Sequence, residues 1–509
     1  MVAAAVRGLF VAGTCSDAGK SVVVAGLCRW LARQGLEVAP FKAQNMALNS
    51  TVTSDGAEIG RAQAAQAAAA GVEPVAAMNP VLLKPTGERH TQVVVMGHAR
   101  ADVDARSYQQ LKPELLSVAM DALGFLRQRF DVVVCEGAGS PAEINLRTHD
   151  LANMGIARAA ALPVVVVGDI DRGGVFASFF GTLALLEPDD QRLVCGFLIN
   201  KFRGDPSILR PGLAELTRRT GRPVLGVLPW VRGLWLDVED SVALEAPRDG
   251  ALPPRGEDAL VVAVVRLRWM SNFTDFDPLA CEPGVVVRFT QSPADVASAD
   301  LVVLPGTKAT ADDLAWLRER GLADAILARV RRGQPVLGIC GGYQMLGAWI
   351  FDEVESRCGA VEGLGVLPVN TIFASTKLLA RSSGTAPWLG GVDVHGYEIH
   401  HGRVHRSGGQ EMFVTNDGDE GCRMGTVFGT SWHGIFEHDD FRRAFLSEIA
   451  SARGLDWIPG DACFESVRQA RLDALGDLIE EHTDTSSLMR LIEHGAPPDL
   501  PLVAASIHR

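Results

Sequence analysis

Residues Gly8 to Ser21 read GLFVAGTCSDAGKS. A short aliphatic run meets a glycine-containing loop, and the loop ends in Lys-Ser at the head of an amphipathic segment. A strand that passes through glycine directly into a helix is the opening unit of a parallel α/β sheet. Two parallel strands need a crossover of a dozen or more residues between them, usually a helix. The rhythm recurs along the chain. Aliphatic runs at Gly8–Ala12, Val38–Phe41, Val132–Cys135, Pro163–Val167, Cys195–Ile199 and Val224–Val227 are bounded by Gly, Pro or Asp. Buried parallel strands alternating with helices have this pattern. The alanine-rich stretch Arg61–Ala70 is a strong helix former.

A second cycle follows a break. The stretch from Ala246 to Asp258 is APRDGALPPRGED, rich in Pro, Gly and charge. Aliphatic runs then resume at Leu260–Val265, Val285–Phe289, Leu301–Leu304 and Pro335–Ile339. The sequence therefore predicts α/β units at about 1–250 and 258–450, joined by a linker at 251–257. A helical extension and a proline-containing tail would fill 451–509. Apolar residues at 47% and charged residues at 21% of 509 exclude a largely disordered chain.

The formal charge is −13. A net acidic chain argues against general nucleic-acid or membrane-surface binding, though a local basic pocket can still take an anionic substrate. Nine cysteines without a CxxC pair point to reduced thiols and a cytoplasmic setting. No run reaches the roughly 18 apolar residues of a membrane helix. The first residues read as a strand rather than a signal peptide.

The first glycine loop is built to hold phosphate. In Gly13-Thr14-Cys15-Ser16-Asp17-Ala18-Gly19-Lys20-Ser21, glycines let backbone N–H groups face phosphate oxygens, and the following helix adds its N-terminal dipole. Lys20 would reach the outer phosphates of ATP, and the Ser21 hydroxyl would ligate Mg²⁺. Lys42, after the second strand, is a second candidate lysine. Glu136 ends an aliphatic strand next to this loop, where a metal-ligating carboxylate is expected. Asp55 is a further metal candidate. Asn200, followed by Lys201, is placed to read the adenine edge.

This loop, one residue longer than GxxxxGK[ST], resembles that of the dethiobiotin synthetase family, as do the EGAG and INK runs. FKAQNMALNS, EIGRAQAAQA, MNPVLLKP and VGDIDRGGVFAS more specifically resemble the cobyric acid synthase family. The resemblance implies a P-loop NTPase-type, mostly parallel sheet flanked by helices, with ATP used to activate carboxylates.

In the second unit, PVLGICGGYQMLG reads as strand, sharp turn and helix with Cys340 at the turn. A thiol there is exposed to substrate and gains from the helix N-terminus. His433, in TSWHGIF, is the candidate base. Both runs resemble class I glutamine amidotransferases, as does LVVLPGT at Leu301–Thr307. A flavodoxin-like α/β domain is implied, with Gly306 and Gly341 supplying oxyanion-hole N–H groups. The wider family has a glutamate two residues after the histidine, where this chain has Ile435. The resemblance is thus to a branch with a Cys–His pair alone. Glu437 is a carboxylate nearby that reads more readily as a surface residue.

Together the resemblances imply an amidoligase. ATP would convert a carboxylate to an acyl phosphate, glutamine would release ammonia at Cys340, and ammonia would displace phosphate. The implied substrate is a corrinoid polycarboxylate, adenosylcobyrinic acid a,c-diamide, amidated at its b, d, e and g carboxylates. No tightly bound prosthetic group is expected, and a homo-oligomer is left open. Asp169 and Asp171 would stabilise the intermediate or Mg²⁺. Lys84, Arg89, Arg147 and Arg172 would receive acidic arms, and Asn45 and Asn49 existing amides. Three alternatives stay open: cobyrinic acid a,c-diamide synthase, an amidoligase for another acid such as a lipid-linked glutamate, and a non-enzymatic partitioning-type ATPase switch.

Overall fold

A computed structural model describes residues 7–87, 90–231, 233–234 and 252–503. Arg89 and the linker stretch from Ala246 to Ala251 lie outside the described residues. Six parallel strands form the first sheet, in the spatial order Val224–Pro229, Val194–Phe202, Val164–Asp169, Gly8–Gly13, Val132–Glu136 and Val38–Phe41. The strands Gly8–Gly13, Val132–Glu136 and Val164–Asp169 are buried along their whole length. That is why they read as continuous aliphatic runs and not as alternation. Helices cover both faces, and the phosphate loop opens at the C-terminal edge of a central strand.

The second sheet also has six strands, in the order Val285–Thr290, Leu260–Val265, Leu301–Leu304, Val336–Ile339, Val427–Thr430 and Cys422–Met424. Only the last pair is antiparallel. The two-domain α/β architecture is thus the one expected from sequence, and helix Arg61–Ala70 has the expected bounds.

Two β structures were not foreseen. A small sheet of Gln44–Met46, Val81–Pro85, Thr91–Val95 and His98–Val103 stands beside the first sheet. A long antiparallel hairpin, Val369–Ala386 with Val392–Arg406, extends the second domain. Its segment around Lys377 falls at a break in the register, and the Lys377 side chain crosses to Glu58 of the first domain.

The C-terminal helices Phe464–His482 and Thr485–His494 do not pack on the preceding domain alone. They cover one face of the first sheet, with Leu472, Leu475, Ile479, Leu488 and Ile492 in its core. Helix Phe464–His482 lies against helix Lys20–Arg33, the helix that follows the phosphate loop. Glycine permits the approach: a Cβ on Gly26 would stand 2.6 Å from the Leu475 carbonyl oxygen. Arg29 and Arg33 pair with Asp473 and Asp477 across the same contact. These two helices therefore clamp the element that carries Lys20 and Ser21.

Candidate active sites

At the first site the loop backbone turns through positive φ at Asp17 and Gly19. A Cβ on Gly19 would stand 2.0 Å from Asn200 Nδ2, so only glycine fits. Thr14 N donates to Val167 O at 2.9 Å, and Asn200 Nδ2 donates to Ala18 O at 3.0 Å. Gly13, Thr14, Ala18 and Gly19 are thus held from the neighbouring strands. Lys20 Nζ donates to Cys15 O at 3.0 Å and Gly139 O at 3.2 Å, folded over the loop it would serve.

Glu136 is the hub beneath the loop. Its Oε1 accepts from Ser21 Oγ at 2.8 Å and Lys42 Nζ at 2.9 Å, and its Oε2 from Gln66 Nε2 at 2.6 Å. Burial opposes its charge, but Lys42, the Gln66 donor and Lys20 outweigh burial and hold the carboxyl below its ordinary range. Lys201, beside Asn200, reaches Asp17 O and Asp169 Oδ2, each at 2.8 Å.

Gly19, Lys20, Ser21, Lys42, Glu136 and Lys201 line a cavity of about 950 Å³. Small-molecule sites run to roughly 1,000 Å³, so it can take a nucleotide and part of a second ligand. Seven lysines and arginines line it against four carboxylates, among them Lys20, Lys42, Lys112, Arg172, Lys201 and Arg268. The cavity is locally basic in a chain of charge −13. Met46, Leu146 and Trp230 give its rim exposed apolar surface.

Ser21 and Glu136 suit Mg²⁺. The ion usually takes one or two protein ligands and completes its shell with waters and phosphate oxygens. Asp55 is not brought to them. It sits at the turn between Ser50–Val52 and Glu58–Gly60, bonded to the Thr53 hydroxyl. Among the described residues no group of three or more His, Cys, Asp or Glu is arranged to hold a metal.

Other expectations divide. Asn45 lines the cavity, with its Nδ2 on Gln63 Oε1 at 2.9 Å. Arg147 also lines it, but its guanidinium forks onto Asp190 with two 2.7 Å bonds. Arg172 is exposed and close to Asp17 and Asp169. Asp169 lies under the cavity wall on Lys201, and Asp171 is an exposed partner of Arg203. Asn49 and Lys84 are displaced from the expected site. Asn49 bonds to Phe273 N in the second domain, and Lys84 lines the other pocket.

At the second site Cys340 adopts φ 50 and ψ −109 between strand Val336–Ile339 and helix Gly341–Leu346. Left-handed backbone at a non-glycine residue costs about 1–3 kcal/mol and is held by its surroundings. Here Cys340 N donates to Thr430 O at 2.8 Å. A Cβ on Gly342 would stand 2.0 Å from Leu304 O, so the helix can start only where glycine lets it pass. The turns bearing Gly306 and Gly341 abut: a Cβ on Gly341 would be 3.1 Å from Thr307 N, and one on Gly306 would be 2.6 Å from His433 Cε1.

His433 is fully enclosed and lines the same small pocket as Cys340. Its Nδ1 meets Asp275 Oδ2 at 2.7 Å, and Asp275 Oδ1 accepts from Gly434 N at 2.9 Å. Burial disfavours the imidazolium, but Asp275 and then Cys340 overcome it and push His433 up to about 10. With Nδ1 on Asp275, Nε2 is left for the thiol. The histidine therefore has an orienting carboxylate, contrary to the expectation of a Cys–His pair alone. It comes from the short helix Phe273–Cys281, far from the histidine in sequence. Glu437 does not fill that place. It pairs with Arg61 and Arg468, which outweigh burial and lower it to about 2.

The pocket around Cys340 has a volume of about 30 Å³. That is room for a water, not an amino acid. Lys84, Lys308, Lys377 and His401 face it. Buried Glu58 accepts from Lys84 at 2.6 Å and Lys377 at 2.5 Å, so the domain contact itself forms one wall. His401 Nε2 is buried without a hydrogen-bond partner among the described residues. Sequence reading missed Asp275, Gln66 and Lys377, because each acts through a partner distant along the chain, and His401, which is brought to the pocket by the unforeseen hairpin.

Comparison with known proteins follows this division. Residues 9–241 match the CobQ/CobB/MinD/ParA nucleotide binding domain, and residues 261–441 match the CobB/CobQ-like glutamine amidotransferase domain. Cobyric acid synthase from Streptomyces coelicolor is 59% identical, with 97% of this chain and 98% of that protein covered. The Frankia casuarinae cobyric acid synthase is 57% identical, with 97% and 98% covered. The Rhodococcus jostii cobyric acid synthase is 56% identical, with 98% of each covered.

Proposed function

We propose, from the premise that the chain belongs to the cobyric acid synthase family of glutamine-dependent ligases, that it amidates the b, d, e and g carboxylates of adenosylcobyrinic acid a,c-diamide through acyl phosphates. The observation that carries this reading is the pairing of two sites in one chain. A basic cavity holds a phosphate loop, and the segment that lines it at Arg268 and Trp269 goes on to line an enclosed Cys–His–Asp site at Ser271 and Asn272.

In the large cavity the loop N–H groups, Lys20 and Lys42 bind and orient the ATP phosphates. Ser21 and Glu136 would hold Mg²⁺, which when bound would neutralise charge on the phosphate oxygens. A substrate carboxylate oxygen attacks the γ-phosphorus and ADP leaves. Ammonia adds to the acyl carbon, and inorganic phosphate departs as the amide forms. Lys112, Arg172, Lys201 and Arg268 attract the acidic arms, while Met46, Leu146 and Trp230 offer apolar contact to a flat macrocycle.

In the small pocket the Cys340 thiolate attacks the glutamine carboxamide carbon. His433 protonates the departing ammonia, and water then cleaves the thioester to glutamate. Asp275 keeps the imidazole oriented and charged, as carboxylates do in nucleophile–base–acid triads. The N–H groups near Gly306 and Gly341 face the developing oxyanion. We place the functional units at 1–250 and 258–450, with the extension from 451 bracing the phosphate-loop helix. A cytoplasmic setting agrees with nine unpaired cysteines, and among the described residues no helix is long and apolar enough to cross a membrane.

Incubation with ATP, Mg²⁺, glutamine and the a,c-diamide tests the reading, with mass spectrometry to count amides. Four added amides are expected. Conversion of the unamidated acid at its a and c positions instead would reassign the chain to the a,c-diamide reaction.

A further inference from the structure

Two chain segments lead away from the large cavity, one of them into the Cys340 pocket, and they are bonded to each other on the way. Gln44 to Leu48 line the cavity, and the next residues, Asn49 and Ser50, meet the second domain. Arg268 and Trp269 line the cavity from the other side, and Ser271 and Asn272 line the small pocket. The join is reciprocal. Asn49 Oδ1 accepts from Phe273 N at 3.1 Å, and Asn272 Oδ1 accepts from Ser50 N at 3.0 Å. Both asparagines are buried, at 1% and 3% exposure.

The second segment continues directly into the catalytic geometry. Asn272, with φ 52, precedes the helix Phe273–Cys281, and Asp275 N donates to Asn272 O at 3.0 Å. Asp275 then holds His433 and Gly434. Ser271 N donates to Gly306 O at 2.8 Å, which fixes the turn lying against the imidazole. Whatever moves Trp269 or Leu48 therefore acts on the orientation of His433 through a few buried bonds.

We propose that Asn49 and Asn272 are positioning residues that couple glutamine hydrolysis to occupancy of the large cavity, by setting the Asp275–His433 alignment. The coupling rests on the amidoligase reading above. Two states are required, since a pocket of about 30 Å³ must open to admit glutamine. A cavity ligand touching Gln44–Leu48 or Trp269 shifts the balance between them. A misplacement of about 1 Å at a catalytic group can cost on the order of 10²-fold, so a small shift suffices.

The test compares glutamate release with and without ATP, Mg²⁺ and adenosylcobyrinic acid a,c-diamide. In the unaltered enzyme the ligands raise kcat by about tenfold or more, within the usual range of coupling between sites. Asn49→Ala and Asn272→Gly bring that ratio to within about twofold of unity, with KM for glutamine little changed. Glycine keeps the left-handed backbone at 272, so the loss there reports the missing acceptor and not strain. Asn272→Asp, which keeps an oxygen at the same place, restores the ratio. Amidation from ammonium chloride stays near the unaltered rate in Asn49→Ala and Asn272→Gly.

A ratio that survives both Asn49→Ala and Asn272→Gly overturns the proposal. So does a fall in ammonia-dependent amidation in step with glutaminase, which would make the bonds merely structural. An unaltered enzyme that makes no amide from ammonia, ATP and the diamide defeats the amidoligase reading itself, and the coupling with it.

Discussion

The phosphate-loop cavity holds about 950 Å³ and the Cys340 pocket about 30 Å³, although both are built from a strand, a glycine turn and a helix. Their charges are arranged differently too. In the cavity Glu136 is drawn to Lys42 and Ser21, and several cations still face open space. In the pocket the polar groups are enclosed and the domain contact forms one wall. A site open to a large ligand must be recruited by charge, whereas a closed site must be opened by something else. The difference teaches that acceptor capture and ammonia release are separable in structure, yet joined mechanically at the domain contact.

The largest expected effect separates the two sites outright. Cys340→Ala removes the thiol nucleophile, and loss of a nucleophile can cost on the order of 10⁶-fold. Glutamine-dependent amidation should vanish while ammonia-dependent amidation persists. Loss of both rates in a folded variant would mean that the pocket is not independent of the cavity chemistry.

Asp275→Asn is next. Removing the charge that orients a catalytic histidine cost about 10⁴-fold in a related arrangement, and a fall of 10²–10⁴-fold in glutamate release is expected here. The pH profile sharpens the assignment. His433 is raised to about 10 in the folded chain. Its charge stabilises the fold fully below the ordinary value near 6.5, and that contribution disappears as pH rises through about 10. Without Asp275 the alkaline limb of glutaminase activity should move down toward neutral pH. A profile that stays in place would assign the carboxylate a structural role only.

Lys20→Ala strikes the other site. Removing one preorganised donor from a transition state costs about 10²–10³-fold, and a loss of at least that order should appear with glutamine and with ammonia alike. A deficit confined to glutamine would place Lys20 in communication between sites rather than in phosphate binding.

The two sites also differed in how far they could be read from sequence. Gly19 and Gly342 are required by contacts with Asn200 and Leu304, and their motifs are contiguous, so loop and elbow were legible. Asp275 was not, because the bond to His433 joins residues 158 positions apart. Nothing in NFTDFDP distinguishes it from Asp277, which is equally buried. In sequence Asn49 reads as a hydrogen-bonding partner for substrate amides, but a buried amide that clamps a backbone N–H looks the same there. Asp55 was read as a metal ligand where it serves a turn. The sheet containing Gln44–Met46 lacks the alternation that announces a half-buried strand, since Val81–Pro85 is buried on both faces.

The smallest expected effect tests the domain contact that the comparison depends on. Glu437 lies just beyond His433 and joins Arg61 of the first domain to Arg468 of the helix Phe464–His482. Its folded value is about 2 against an ordinary 4.5, so burial is outweighed by the two arginines. The sign follows: Glu437 contributes stability above about 4.5, and loses it as pH falls toward 2. Glu437→Gln should therefore destabilise the chain near pH 6 by about 1–3 kcal/mol, since it leaves two guanidinium groups without their anion. Near pH 3 the gap to the unaltered chain should narrow, because below about 4.5 the unfolded chain takes up a proton that the folded carboxylate does not. Taking the difference between the two chains at each pH cancels the other carboxylates that titrate in the same range. Urea unfolding at both pH values measures it. A gap that stays constant would mean that Arg61 and Arg468 are satisfied elsewhere, and that the Asn49–Asn272 join alone ties the sites together. A gap that closes would identify two contacts flanking His433, one before Asp275 and one after Gly434, each anchored in the domain that binds the acceptor.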